Sequence, residues 1–314
     1  MTRRAIWRYL TVMAVGLALR MGATLAQGAA TEPTIYRLDP GSEDAFTCAD
    51  AKFCVCPARP FFPIRGTFTL TQSGADDQFT YYAVSDFEVI LVDTDVSYRT
   101  TGSGQYKIGF GSNPLQQMDL DLIRSGGQAA HYGSGLVPVA ANFPEIAITV
   151  VDGENCVVPT YNLQARPVPT EQILSFMLLD ESRFVRQCIE PCRLDDSRAL
   201  RGTFVLVALQ QDVPISGLPS TAYDVVSLTW RAERPIGLDL PVRGLGVYVQ
   251  LGGTEPQQRF SLDLRLGQQP PARFESGFVP GGADLLRLDA VIHEDSVGVV
   301  DTLVRLHAAS LAAP

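Results

Sequence analysis

Several kinds of chemistry have no foothold in this sequence of 314 residues. Lysine occurs only at Lys52 and Lys107, every other basic residue being arginine, and histidine occurs only at His131, His293 and His307. A phosphate-binding glycine loop, a dinucleotide fingerprint, a His-Glu-x-x-His helix and a Gly-x-Ser-x-Gly elbow are all missing. Nucleotide binding, zinc-peptidase and serine-hydrolase chemistry therefore have no motif to rest on. No Asn-x-Ser/Thr sequon occurs. Beyond the first 19 residues no apolar run approaches the ~20 residues needed to span a bilayer, so stable membrane insertion is not expected.

What is present begins with an export signal. Arg3, Arg4 and Arg8 form a basic start, Tyr9 to Leu19 an apolar core, and Met21 to Ala30 a run that includes Thr24-Leu25-Ala26. The expected signal covers 1–26, with cleavage after Ala26 or as late as Ala30. Thr2-Arg3-Arg4 resembles a twin-arginine signal, but paired arginines also arise by accident, so both export routes stay open. No cysteine follows the apolar core to carry a lipid. The expected location is periplasmic or extracellular. Removing Met1–Ala26 takes away four arginines and no acid, so the 25 basic residues fall to 21 against 34 acidic, a net charge of −13. Such a surface repels phosphate backbones, and nucleic acid is not an expected partner.

The organising feature is a repeat. Arg65-Gly66-Thr67-Phe68-Thr69-Leu70 returns as Arg201-Gly202-Thr203-Phe204-Val205-Leu206. Downstream, Gly102-Ser103-Gly104-Gln105-Tyr106 is answered by Gly244-Leu245-Gly246-Val247-Tyr248, and Leu120-Asp121-Leu122 by Leu262-Asp263-Leu264. Ser134-Gly135-Leu136-Val137-Pro138 is answered by Ser276-Gly277-Phe278-Val279-Pro280. The spacing between matched residues drifts, which places a net insertion near Gln210 to Ser220. Several matches in order mean a tandem duplication: a first copy over 31–165, a proline-rich linker over 166–170 and a second copy over 171–314.

Each copy reads as β-structure. Phe68 and Leu70 alternate with Thr67, Thr69 and Thr71, the period of a half-buried strand. Phe79 to Val92 is a longer run whose alternation slips between Val84 and Phe87, the mark of a bulge. Strands are also expected at Ile35–Leu38, Tyr98–Ile108, Met118–Leu122, His131–Val139, Phe143–Val151 and Val157–Leu163. About eight strands per copy, spaced as an antiparallel meander, predict two all-β domains, each a barrel or a sandwich. Gly66 and Gly202 are expected to let the chain turn into a strand that Phe68 and Phe204 anchor.

All six cysteines lie beyond the signal, as in an oxidising compartment. Cys56 lies nine residues before Arg65, as Cys192 lies nine before Arg201, and Cys188 corresponds to Cys48 or Cys54. The expected bridges are Cys48–Cys56, Cys188–Cys192 and Cys54–Cys156, each contributing ~2–4 kcal/mol. Cys54-Val55-Cys56 has no histidine close by to complete a metal site, so neither metal nor cofactor is expected.

Candidate catalytic groups do not survive comparison of the copies. None of the three histidines recurs. Ser134-Gly135 and Ser276-Gly277 do recur, but their flanks suit a turn rather than a nucleophile. Asp93-Thr94-Asp95 and Asp119-Leu120-Asp121 each put two carboxylates on one strand face, suited to calcium or an acid/base pair. The residues matching Asp119 and Asp121 are Ser261 and Asp263, so that pair is not repeated, and a solvated face is the simpler expectation.

Arg65-Gly66-Thr67-Phe68, Gly102-Ser103-Gly104-Gln105-Tyr106, Ser134-Gly135-Leu136-Val137-Pro138 and Phe143-Pro144-Glu145-Ile146 together resemble a family of exported bacterial proteins with duplicated all-β domains. The likeness covers the first copy well and the second more loosely, and implies fold and export but no activity. Tyr36-Arg37-Leu38-Asp39-Pro40 with Gly66-x-Phe68 is similar to the opening of YceI-like lipid-binding barrels. That likeness implies a long-chain lipid inside a barrel, but the rest of that pattern is absent. The sequence thus leads to an exported soluble binding or structural protein with no catalytic set, whose partner is a small apolar ligand or another protein. A periplasmic carrier of hydrophobic ligands and a carbohydrate-active enzyme are the alternatives.

Overall fold

The structure, a computed structural model, describes residues 32–48, 61–91, 99–124, 127–153, 157–188, 195–209, 219–234, 237–282, 285–295 and 300–311. The export signal, Cys54, Cys56, Cys156, Cys192, the pair Asp93 and Asp95, and most of the expected insertion lie outside the described residues. Among the described residues no helix is long and apolar enough to cross a membrane.

The described residues are almost wholly strand, arranged as two ten-stranded antiparallel sheets in tandem. The first holds β1 (Thr34–Leu38), β2 (Glu43–Cys48), β3 (Phe62–Ala75), β4 (Phe79–Leu91), β5 (Arg99–Gly109), β6 (Leu115–Arg124), β7 (Ala129–Gly133), β8 (Val137–Pro138), β9 (Ile146–Val151) and β10 (Val157–Pro167). The second holds β11 (Ile173–Leu178), β12 (Arg183–Cys188), β13 (Asp195–Ala208), β14 (Ser220–Ala232), β15 (Leu240–Leu251), β16 (Gln257–Leu266), β17 (Ala272–Glu275), β18 (Val279–Pro280), β19 (Arg287–Glu294) and β20 (Val300–Ser310).

Neighbouring strands pair in sequence, and the ends then meet. β10 pairs with both β9 and β2, and β20 with both β19 and β12, so each sheet closes on itself through eight strands. Of the two architectures expected from the sequence, the barrel is the one formed, which removes the exposed edges an open sheet would present. β1 and β2 share one lane of the first ring, both lying between β10 and β3, and β11 and β12 do the same in the second. A serine locks this lane to the last strand. Gln164 donates its backbone N–H to Ser42 Oγ at 3.0 Å, and that hydroxyl donates to the Gln164 carbonyl at 2.9 Å. Ser182 and His307 repeat the clasp at 3.1 and 2.8 Å.

Inward side chains fill both rings. On β6, Met118, Leu120 and Leu122 point in, and on β19 Leu288, Ala290 and Ile292 do. Ring stacks sit at the same place in each core: Tyr36 on Phe68 and Phe176 on Phe204, both at 5.2 Å between centroids and 11° between planes. The anticipated slip between Val84 and Phe87 is a bulge, repeated between Val225 and Leu228. Its extra residues Asp86 and Ser227 take the same left-handed backbone, φ 51° and 52°.

Several local expectations change. Glu43–Cys48, not among the strands expected from the sequence, is strand β2, because its backbone pairs with β10 more than a hundred residues away. Gly66 and Gly202 are not turns into a strand: each sits within a long strand where the partner backbone closes in. A Cβ there would overlap the carbonyl oxygen of Glu88 or Thr229, which only glycine avoids. The prolines of the linker do not interrupt pairing at once, since β1 holds β10 out to Pro167 and the break comes at Pro169. Strand β3 is not half-buried: every residue from Ile64 to Leu70 is buried. Its threonine face is covered by the second barrel, and both barrels belong to one compact unit, Pro33–Pro314.

Candidate binding surface between the barrels

The barrels meet through the outer faces of corresponding strands. Ile90 of β4 packs with Ala222, Val247, Val249 and Leu251. Val168, just beyond β10, packs with Val207 and Val226. Arg37 of β1 reaches across to donate to Gln172 Oε1 and the Ala208 carbonyl, both at 2.9 Å.

At the centre of this contact is a chain of charge. Arg99, at the start of β5, is fully buried with Glu88 of β4, its Nε 2.7 Å from the Glu88 carboxylate. Its other nitrogens cross to the second barrel, to Asp263 Oδ2 at 2.9 Å, the Ser261 carbonyl at 2.9 Å and Ser261 Oγ at 3.0 Å. Asp263 also receives Arg273 at 3.0 Å, and Ser261 Oγ donates to Glu275, which Arg259 holds at 3.1 Å. A planar guanidinium with five donors suits this task better than an ammonium, since one side chain can engage several acceptors in fixed directions.

Two carboxyls in the contact are out of water altogether, Glu88 and Asp224. Burial raises the pKa of Glu88 to about 8, although Arg99 pulls it back. Burial likewise raises Asp224 to about 7, opposed by the Thr67 hydroxyl and by Arg65 and Arg99. Burial works against the charge on Arg99, but Glu88 and Asp263 outweigh it and hold its pKa above the usual value. Arg65 has no such surplus of acid, and burial lowers it against the pull of Asp224.

Where the barrels diverge, the contact opens into a cleft of about 390 Å³ lined by Arg99, Arg124, Asp263, Arg273 and Asp295 with Ile123 and Pro271. Arg99 and Arg273 both engage Asp263 there, and Thr101, Arg124 and Asp295 complete its polar lining. That arrangement can grip a ligand through exchange of ion pairs.

The residues singled out from the sequence fall elsewhere. Ser134 and Ser276 do the same structural work in each barrel. Met118 and Phe260 donate their backbone N–H groups to these hydroxyls at 2.9 and 2.8 Å, and each hydroxyl donates to the next glycine carbonyl at 2.7 Å. Gly135 and Gly277 supply the left-handed turn, φ 62° and 63°. Phe68 and Phe204 are core. Asp119 receives Gln117 at 2.7 Å, and Asp121 faces His131 at 2.9 Å, on the outside of the first barrel. His293 and His307 likewise face Asp301 and Asp289 across strands. Cys188 is not a free thiol. Among the described residues no cluster of histidine, cysteine and acid could hold a metal.

Sequence reasoning missed Arg99, Glu88 and Asp224. Their signal lay in the copies: Asp224 stands where the first copy has Ala83, and Arg99 where the second has Pro241, by the shared strand register. No family model, curated protein or solved structure matches the chain.

Proposed function

We propose that this is an exported, soluble protein of the periplasm or the extracellular space that acts by binding, or as a structural module, through the outside of a rigid pair of barrels. One observation carries this reading: the barrel cores are filled by their own aromatic and aliphatic side chains, while the contact between the barrels holds a buried chain of arginines and carboxyls. Ligand sites draw on convergent polar groups in a concavity, and here that concavity is the cleft beside Arg99. A carrier of long-chain lipid needs a vacant interior, which the stacked cores of Phe68 and Phe204 do not offer. The likeness to duplicated exported β-proteins, the export signal and the bridges Cys48–Cys56, Cys54–Cys156 and Cys188–Cys192 belong to the same reading. The close of β2 at Cys48 and of β12 at Cys188 makes these two cysteines counterparts.

Native mass spectrometry of the protein purified from its own export compartment tests it. The expected species is the processed chain at three disulfides without bound lipid. A mass increment matching a long-chain lipid, retained until the protein is unfolded, would replace this reading with that of a carrier.

A further inference from the structure

The two barrels differ most at the end where β2 and β12 begin to pair with the strands after them. In the first barrel this end is plugged from inside. Arg124 binds Asp44 at 3.1 Å and lies over the rings of Phe46 and Tyr161 at 5.6 and 5.2 Å. The pairing register gives the second-barrel counterparts. Asp44 and Phe46 on β2 become Phe184 and Arg186 on β12, Phe62 on β3 becomes Arg198 on β13, and Tyr161 on β10 becomes Val304 on β20. On β6 and β16, Arg124 opposite Thr100 becomes Leu266 opposite Val242. Charge and apolar surface have changed places. The first barrel has an internal ion pair under an aromatic rim, and the second has an apolar floor under an arginine rim.

The result is a cavity of about 470 Å³, floored by Phe184, Leu240, Leu266 and Pro271 and rimmed by Arg186, Arg198 and Arg234. Arg198 is occupied by Asp196, its Nε 2.9 Å from Oδ1. Arg186 and Arg234 make no side-chain ion pair among the described residues. All three arginines act on the Asp196 carboxyl: hydrogen bonds from Arg198 first, and the charges of Arg186 and Arg234 as well, hold its pKa below the usual range. Three guanidiniums therefore converge at the rim, and with Asp196 and Glu294 counted the cavity keeps one positive charge in excess. Its volume lies within the ~300–1,000 Å³ of small-molecule sites.

The geometry points to a binding site in the mouth of the second barrel for a small amphipathic acid, with its carboxylate or sulfonate on Arg186 and Arg234 and its ring or short chain on Phe184 and Leu266. Guanidinium is the group suited to such a head, since two parallel N–H donors match the two oxygens of a carboxylate. The apolar floor excludes a bare inorganic anion as the best fit, because desolvating the floor contributes only when something apolar covers it. The site goes beyond the reading of a binding protein and does not depend on the cleft between the barrels.

Calorimetric titration of the whole processed protein with 4-phenylbutyrate, its uncharged amide and sulfate tests the assignment. The acid is expected to bind roughly tenfold or more tightly than either the amide or sulfate, since each lacks half of what the site recognises. Arg186→Gln with Arg234→Gln, both exposed and so harmless to folding, should remove that preference, while Arg287→Gln, exposed elsewhere on the same barrel, leaves it intact. Equal affinity for acid and amide, no heat from the acid, or undiminished preference in the double variant with unchanged circular dichroism would overturn the site. None of these results would alter the native mass that tests the proposed function.

Discussion

On β6 the outward Asp119 and Asp121 meet side chains of their own barrel, Gln117 and His131. On β16 the matching Ser261 and Asp263 take Arg99 from the other barrel, and Arg273, standing where the first copy has His131, braces Asp263 from behind. One duplicated face has therefore stayed a solvated surface while its copy has become a docking surface. The difference lies in few residues, because a guanidinium placed at 99 finds acceptors only if the opposite face offers a hydroxyl, a carbonyl and a carboxylate together. A duplication supplies two equal surfaces, and polar substitution on one of them decides which is covered.

The comparison breaks first at Arg99. Arg99→Ala removes one partner of a buried ion pair together with its bonds to Asp263 and Ser261 across the contact, and the expected loss is about 3–5 kcal/mol in equilibrium urea unfolding. An unchanged midpoint would mean that the ionic contact is incidental to the joining of the barrels.

Next comes the pH dependence of the same contact. Glu88 and Asp224 have pKa values raised in the folded protein to about 8 and about 7, against roughly 4 in the unfolded chain. Below ~4 both states hold these protons. Above it the unfolded chain gives them up first, so the stability contributed is lost as pH rises through the folded values. Asp224→Asn should shrink the fall in Tm between pH 5 and pH 9. A fall as steep as in the unaltered protein would show that Asp224 is not one of the titrating groups.

A smaller effect sharpens the likeness of the copies. Ser134→Ala and Ser276→Ala should each cost about 1 kcal/mol, the worth of a hydrogen bond to a strand N–H. Equal losses are expected because the distances match, and a large difference would show that one turn has acquired a second role. Smallest is Asp121→Asn, on the exposed pair with His131, expected to change stability by less than about 0.5 kcal/mol. A loss above ~1 kcal/mol would mean that this face is covered as its counterpart is.

The sequence disclosed what depends on local pattern. The duplication, the meander and the bulge after Val84 follow from the order and spacing of side chains along single strands. What stayed hidden depends on residues far apart in the chain. Arg65, Thr67, Thr69 and Glu88 have the composition of a wetted face, and they are buried only because a second barrel supplies Asp224 and the apolar patch around Val247 and Val249. The arginine rim was equally silent, since Arg186, Arg198 and Arg234 sit on separate strands and converge only after the ring closes.

The clasps of Ser42 with Gln164 and Ser182 with His307 join residues 122 and 125 positions apart. Each ring is completed by its last strand, so most of a copy must be available before the first and last strands can meet. Joining such distant segments forfeits chain entropy ahead of any reward, which makes folding of this kind slow. Until β10 or β20 arrives, each copy keeps two open strand edges, the form in which β-proteins adhere to one another. The hydroxyl at 42 and 182 thus marks the moment at which each barrel ceases to be adhesive. A cell making this chain has to shield each copy across an interval set by its last strand.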